Sequence, residues 1–148
     1  MAKVLIVIGS KSDSEYADKC LAQLEQLGVE GTLEVSSAHR HPERTAKLAT
    51  EAEQNGFEVI IAMAGLAAAL PGTMAAHSNL PVIGVPIPAA LGGLDALLAI
   101  AQMPPGIPVA AVAVGSPGAK NAAVMAARIL ALKHSDVKQK LQEHRQSL

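Results

Sequence analysis

Aromatic side chains are almost absent from this chain of 148 residues, which has no tryptophan, one tyrosine at Tyr16 and one phenylalanine at Phe57. Proteins that hold single-stranded nucleic acid stack the bases on aromatic faces, and that platform is missing. An excess of charge of one sign is missing too. The formal net charge is -1, with acids and bases intermingled, so no basic field exists to neutralise phosphate backbones. No nucleic-acid role is expected. Cysteine is reduced to Cys20, which excludes an internal disulfide and a cysteine-rich metal cluster. It falls on the apolar stripe Ala17, Cys20, Leu21, Leu24 of a predicted helix and reads as a small core residue in a reducing compartment. Met1-Ala2-Lys3 leads straight into a strand with no signal-peptide cleavage region, so a cytoplasmic location is expected.

Charge is also scarce locally. Between Val59 and Ala119 the only charged side chain is Asp95, yet Gly65, Pro71, Gly72, Pro81, Pro86, Pro88, Gly92 and Gly93 interrupt the stretch. No uninterrupted apolar run of about 20 residues remains to span a bilayer, so no membrane role is expected. The stretch reads as a buried half-domain. Its alanine-rich helices would be poorly solvated in a small monomer, so an oligomer is expected. The length suits a single domain, 1–148, burying roughly two-thirds of the surface of its unfolded form.

What is present is a regular alternation of strand and helix patterns. Strands are predicted over Lys3–Ile8, Thr32–Ser36, Glu58–Met63, Pro81–Val85 and Val109–Val114. Helices fall between them. The first opens with a capping-box spacing, Ser12 and Glu15, and closes at Gly28; the second begins at Pro42 and runs to about Gly56. Later ones cover about Leu94–Gln102 and the stretch from Gly115-Ser116-Pro117-Gly118 through Leu132. A C-terminal helix is predicted over Ser135–Leu148, with Val137, Leu141 and Leu148 on one face. Near-continuous apolar strands alternating with helices specify an α/β fold, a three-layer α/β/α sandwich around a parallel sheet covered on both faces.

Two polar clusters stand immediately after two of these strands. Gly9-Ser10-Lys11-Ser12-Asp13 follows the first, and Ser37-Ala38-His39-Arg40-His41 follows the second. In an open α/β sheet, ligands bind outside the carboxyl ends of the strands, so both clusters face one crevice. The first offers a glycine, hydroxyls and a helix N-terminus, which suit a phosphate; it reads equally as ordinary capping by Ser12 with Lys11 in solvent. It matches neither the dinucleotide G-x-G-x-x-G nor the Walker pattern, so neither NAD nor ATP is indicated. In the second, Arg40 suits bidentate phosphate binding and a histidine suits proton transfer near neutral pH. His41 reads as the residue before a helix and His77 as structural. The histidines 39, 41, 77, 134 and 144 show no metal-ligand spacing.

With Leu70-Pro71-Gly72, Pro81-Val82-Ile83-Gly84-Val85-Pro86, Gln102-Met103-Pro104, Gly106-Ile107-Pro108-Val109 and Asn121-Ala122, these clusters form an ordered set from about Val4 to Leu132. The set resembles the PurE family, the N5-carboxyaminoimidazole ribonucleotide mutases and related aminoimidazole ribonucleotide carboxylases of purine biosynthesis. The resemblance implies a flavodoxin- or Rossmann-like sandwich assembling as a homo-octamer, with no metal or organic cofactor. It implies that Ser10, Asp13 and Arg40 hold the ribose and phosphate of a ribonucleotide and that His39 transfers the proton. The implied reaction moves a carboxylate from the exocyclic N5 to ring carbon C4 through released CO2. Two rivals remain: direct carboxylation of aminoimidazole ribonucleotide by CO2, and a nucleotide-binding paralogue without catalysis. The chain departs from the mutase pattern Gly-Ala-Gly-Gly-Ala-Ala-His-Leu-Pro-Gly, placing Met63 and Leu66 at glycine positions and Ala69 at the histidine. It also does not match the carboxylase pattern Ala-Gly-Arg-Ser-Asn, and Ser116-Pro117 stand where Lys-Ala is usual.

Overall fold

In the computed structural model, which describes residues 1–148, strands and helices alternate along the chain. The strands are β1 (Lys3–Ile8), β2 (Glu30–Val35), β3 (Val59–Gly65), β4 (Val82–Ile87) and β5 (Ala110–Ala111). The helices are α1 (Ser14–Gln26), α2 (Pro42–Glu51), α3 (Leu70–His77), α4 (Leu94–Ala101), α5 (Ser116–Leu130) and α6 (Ser135–Gln146). All strand pairs are parallel, in the order β2-β1-β3-β4-β5.

Alternate residues of each central strand feed two separate cores, as the twofold repeat of a strand requires. Val4, Ile6, Ile8, Ile61, Met63, Ile83 and Val85 point to the layer containing α1, α5 and α6. Leu5, Val7, Ile60, Ala62 and Val82 point to the layer of α2, α3 and α4. Both faces of the sheet are covered, which is why these strands read as continuous apolar runs. At Gly84 a β-carbon would lie 3.1 Å from Pro71 and from Val109, so the missing side chain lets the second layer settle onto β4.

Several boundaries differ from the sequence reading. A 3-10 turn, Lys11–Asp13, precedes α1, and the residue that caps it is Ser10, whose Oγ accepts from the Ser12 amide at 3.3 Å. The Ser12–Glu15 spacing is therefore not a capping box. α2 ends at Glu51 instead of running to Gly56, because residues 52–56 close in turns. β5 is confined to Ala110 and Ala111, although the Val112 amide still donates to the Gly84 carbonyl of β4 at 3.2 Å and the Gly115 amide to the Pro86 carbonyl at 2.9 Å.

At the end of the charge-poor stretch and beyond it, Ala119, Ala122, Ala123, Ala126 and Ala127 are buried within the subunit, where their small size lets α5 lie close to α1 and the sheet. On α6, Val137 is buried and Leu141 packs against the same core, so these two residues of the predicted face dock on their own domain, while Leu148 is 90% exposed. Glu58 ties this end down, accepting from His134 Nε2 at 2.7 Å and Lys133 Nζ at 3.1 Å. Partial burial pushes the Glu58 carboxyl up, yet those two hydrogen bonds and charges together hold it below its ordinary range. Burial pushes the Cys20 thiol up to about 12, which keeps it protonated at neutral pH and fits a core residue.

Candidate active site

Because β1 is flanked by β2 on one side and β3 on the other, the chain leaves it in both directions and a crevice opens at the carboxyl ends of the strands. A cavity of ≈ 690 Å³ occupies this position. Four loops form it: Gly9–Asp13 after β1, Ser37–Arg40 after β2, Ala64–Leu70 at the end of β3 and beyond, and Ile87–Ala89 after β4. All four residues singled out in the sequence, Ser10, Asp13, His39 and Arg40, line it. Lys11 does not.

The first loop is stiffened by short hydroxyl bonds. The Ser12 hydroxyl donates to Ser10 Oγ at 3.0 Å, Ser14 Oγ donates to the Lys11 carbonyl at 2.7 Å, and the Asp13 amide donates to the Ser10 carbonyl at 3.0 Å. Asp13 stands at the N-cap of α1 without capping it by its side chain. Its carboxyl faces the cavity without an ion pair, and burial alone pushes its pKa up. A half-buried carboxyl in this setting is suited to accepting hydrogen bonds from hydroxyl groups of a ligand.

In the second loop the Arg40 amide donates to Ser37 Oγ at 3.1 Å and the His41 amide to the Ser37 carbonyl at 2.8 Å. The turn so formed projects His39 and Arg40, both exposed, and neither side chain has a partner within the chain. Arg44, one turn further on, is different: its guanidinium is held by Glu34 at 2.7 Å. Arg40 is accordingly the cation left free to meet an anion. His41 sits before α2 and outside the cavity, and His77 ends α3 away from it, as the sequence suggested.

The remaining walls are apolar. Ala64, Ala67, Ala68, Ala69, Pro88 and Ala89 face the cavity, and Leu66 stands at its edge, 63% exposed. Leu66 is the only non-glycine residue with a positive φ, at 55°. A left-handed leucine costs about 1–2 kcal/mol, and the glycine that the family pattern carries at this position would bear no such strain. Tyr16 also lines the cavity from α1 and was not singled out beforehand. A further feature missed in the sequence lies beneath the second loop: Ser36 and Thr45, the only buried polar side chains, bond to each other at 2.7 Å. The available signal was a threonine on the apolar stripe of α2 with Leu48, Ala49 and Ala52.

A family model described as AIR carboxylase matches residues 3–148. The chain belongs to the AIR carboxylase family. Among its relatives, the N5-carboxyaminoimidazole ribonucleotide mutase of Saccharolobus solfataricus is 52% identical over 144 residues, or 97% of this chain and 90% of the relative. The enzyme of the same name from Escherichia coli is 48% identical over 147 residues, 99% of this chain and 87% of the relative. Of the solved structures, Treponema denticola PurE superposes with a TM-score of 0.90 at 30% identity, covering 99% of this chain and 91% of the other. The three-layer parallel architecture is thus that of Treponema denticola PurE. No helix is long and apolar enough to cross a membrane.

Proposed function

We propose that this chain interconverts N5-carboxyaminoimidazole ribonucleotide and 4-carboxyaminoimidazole ribonucleotide, an isomerisation in purine biosynthesis. The observation that carries the reading is the meeting of Ser10, Asp13, His39 and Arg40 in one cavity, in a chain about half identical to enzymes named for that reaction. Arg40 and the Ser10 hydroxyl receive the phosphate, since a guanidinium matches phosphate geometry bidentately. Asp13 takes ribose hydroxyls. His39 handles the proton.

The step balances without oxidant or co-reactant. The bond between N5 and its carboxylate breaks, CO2 leaves, and the exocyclic nitrogen keeps the electron pair and takes a proton from the His39 imidazolium. Ring carbon C4, made electron-rich by that amine, then attacks CO2, and the displaced C4 proton returns to His39. Between the two halves CO2 must stay beside the ring and water must stay out. The apolar wall of Ala64, Ala67, Ala68, Ala69, Pro88 and Ala89 suits that task, offering a neutral gas no competing polar group.

The same reading takes the working form to be a homo-octamer in the cytoplasm. Supporting the assembly are Leu91 (74%), Leu94 (60%) and Leu98 (50%), large side chains left exposed on and before α4.

Product analysis with each substrate tests the function. The N-carboxylated nucleotide alone should be converted, and His39→Asn should lower turnover about 10²- to 10⁴-fold while nucleotide binding persists. Product from aminoimidazole ribonucleotide plus bicarbonate only would replace the mutase reading with direct carboxylation. Binding of nucleotide with no product from either would leave a non-catalytic paralogue.

A further inference from the structure

Ser36 and Thr45 are 2% and 0% exposed and are the only polar side chains buried in the chain. A hydroxyl removed from water costs free energy unless it is bonded, and apolar residues of similar size fit such positions at less cost. These two hydroxyls are bonded to each other at 2.7 Å, and Thr45 Oγ1 also stands 3.0 Å from the His41 carbonyl, which can only accept. Both bonds are made together when Thr45 donates to that carbonyl and Ser36 donates to Thr45. The relay then runs from the residue after β2 through α2 to the backbone of the loop.

That loop is the turn carrying His39 and Arg40. Its start is tied to β1 by the Ser36 amide, which donates to the Ile8 carbonyl at 2.9 Å. Its end is tied at His41, whose carbonyl also accepts from the Thr45 amide at 3.1 Å. Since neither the His39 nor the Arg40 side chain is held by any partner, only the backbone beneath them fixes where they point. We propose that Ser36 and Thr45 are positioning residues, a buried hydroxyl relay that sets the pose of the His39–Arg40 turn relative to the β1 loop. This rests on the mutase reading for its kinetic consequence but not for its geometric one.

Thr45→Val keeps the shape of the side chain and removes the relay; Thr45→Ser keeps the hydroxyl. With histidine-labelled protein, and the His39 signal identified by its loss in His39→Asn, Thr45→Val should shift or broaden the His39 resonance. Thr45→Ser should restore it. In turnover of the N-carboxylated nucleotide, Thr45→Val should lower kcat about 10- to 100-fold, the scale of a misplaced catalytic group, with a smaller change in KM. A folded Thr45→Val protein with an unmoved His39 signal and unchanged kcat would overturn the proposal, whatever its melting temperature. Should Thr45→Val not fold, Ser36→Ala removes the donor alone, and an unmoved His39 signal there overturns the proposal equally. If the wild-type chain turns over neither substrate, the His39 signal still decides the relay, so the two failures are distinguishable.

Discussion

Replacing Leu66 by glycine and by alanine separates backbone strain from side-chain contact at the rim of the cavity. At an ordinary position glycine is about 0.5–1 kcal/mol less stable than alanine, because it loses more freedom on folding. Leu66 is not an ordinary position: its φ is 55°, and the side chain is 63% exposed. Full burial of a leucine is worth about 1.5–3 kcal/mol, so the third that is buried contributes about 0.5–1 kcal/mol. Leu66→Ala loses that contact and keeps the left-handed strain of about 1–2 kcal/mol, for a net loss of about 0.5–1 kcal/mol. Leu66→Gly loses the same contact and about 0.4–1 kcal/mol of entropy, but releases the strain, leaving it within about 1 kcal/mol of the parent. Glycine should therefore be more stable than alanine by up to about 1.5 kcal/mol, centred on about 0.8 kcal/mol or roughly 2–3 °C in melting temperature for a domain of this size. Urea and thermal melts at one fixed protomer concentration measure the order. An alanine variant as stable as the glycine variant, or more so, would refute the strain at Leu66.

Calorimetric titration with the nucleotide should show Arg40→Ala weakening binding far more than Lys11→Ala, since Arg40 lines the cavity and Lys11 does not; equal losses would mean diffuse charge attraction. Burial raises the Asp13 pKa, so the folded state holds that proton more tightly than the unfolded chain does. Ionising Asp13 then weakens folding, a penalty present above its folded pKa and absent below its unfolded one. Asp13→Asn should accordingly be at least as stable as the parent at pH 7, with the difference closing toward pH 4, while its nucleotide affinity falls; urea melts across that range would refute this if the variant were the less stable at pH 7. Light scattering at micromolar concentration should give a mass several times 15.2 kDa, and a monomer would remove the exposed α4 face as an interface.

The central sheet was legible because burial on both faces leaves a signature along the chain. β1 runs over Lys3–Ile8 as the apolar run suggested, and β3 starts within one residue of expectation. β5 was overread. Val109–Val114 has the composition of a strand, but composition does not fix register, and regular pairing with β4 is confined to Ala110 and Ala111, with single bonds from the Val112 and Gly115 amides beyond it. The cap of the first helical segment was misassigned for a related reason: Ser12 and Glu15 have the right spacing, yet a 3-10 turn shifts the helix start and gives the cap to Ser10. The site itself was half visible. Polar residues after strands announce a crevice, which marks out the two clusters, and the family resemblance picks Ser10, Asp13, His39 and Arg40 from them; the structure gathers all four in one cavity. Leu66 showed in the sequence only as a leucine at a glycine position, and the Ser36–Thr45 pair was not legible, because a contact between residues nine apart leaves little trace along the chain.

The two edges of the sheet are protected unequally. On one side β2 carries Glu30 in solvent and Glu34 paired with Arg44, charges that a foreign strand would have to desolvate before pairing there. On the other, β5 offers Ala110 and Ala111, exposed and uncharged, within a run from Val109 to Val114 that has neither a charge nor a proline. Such an uncharged edge is the one open to strand addition, so a lysine introduced at Ala111 should lower any precipitation of concentrated chain, and an unchanged solubility would refute this.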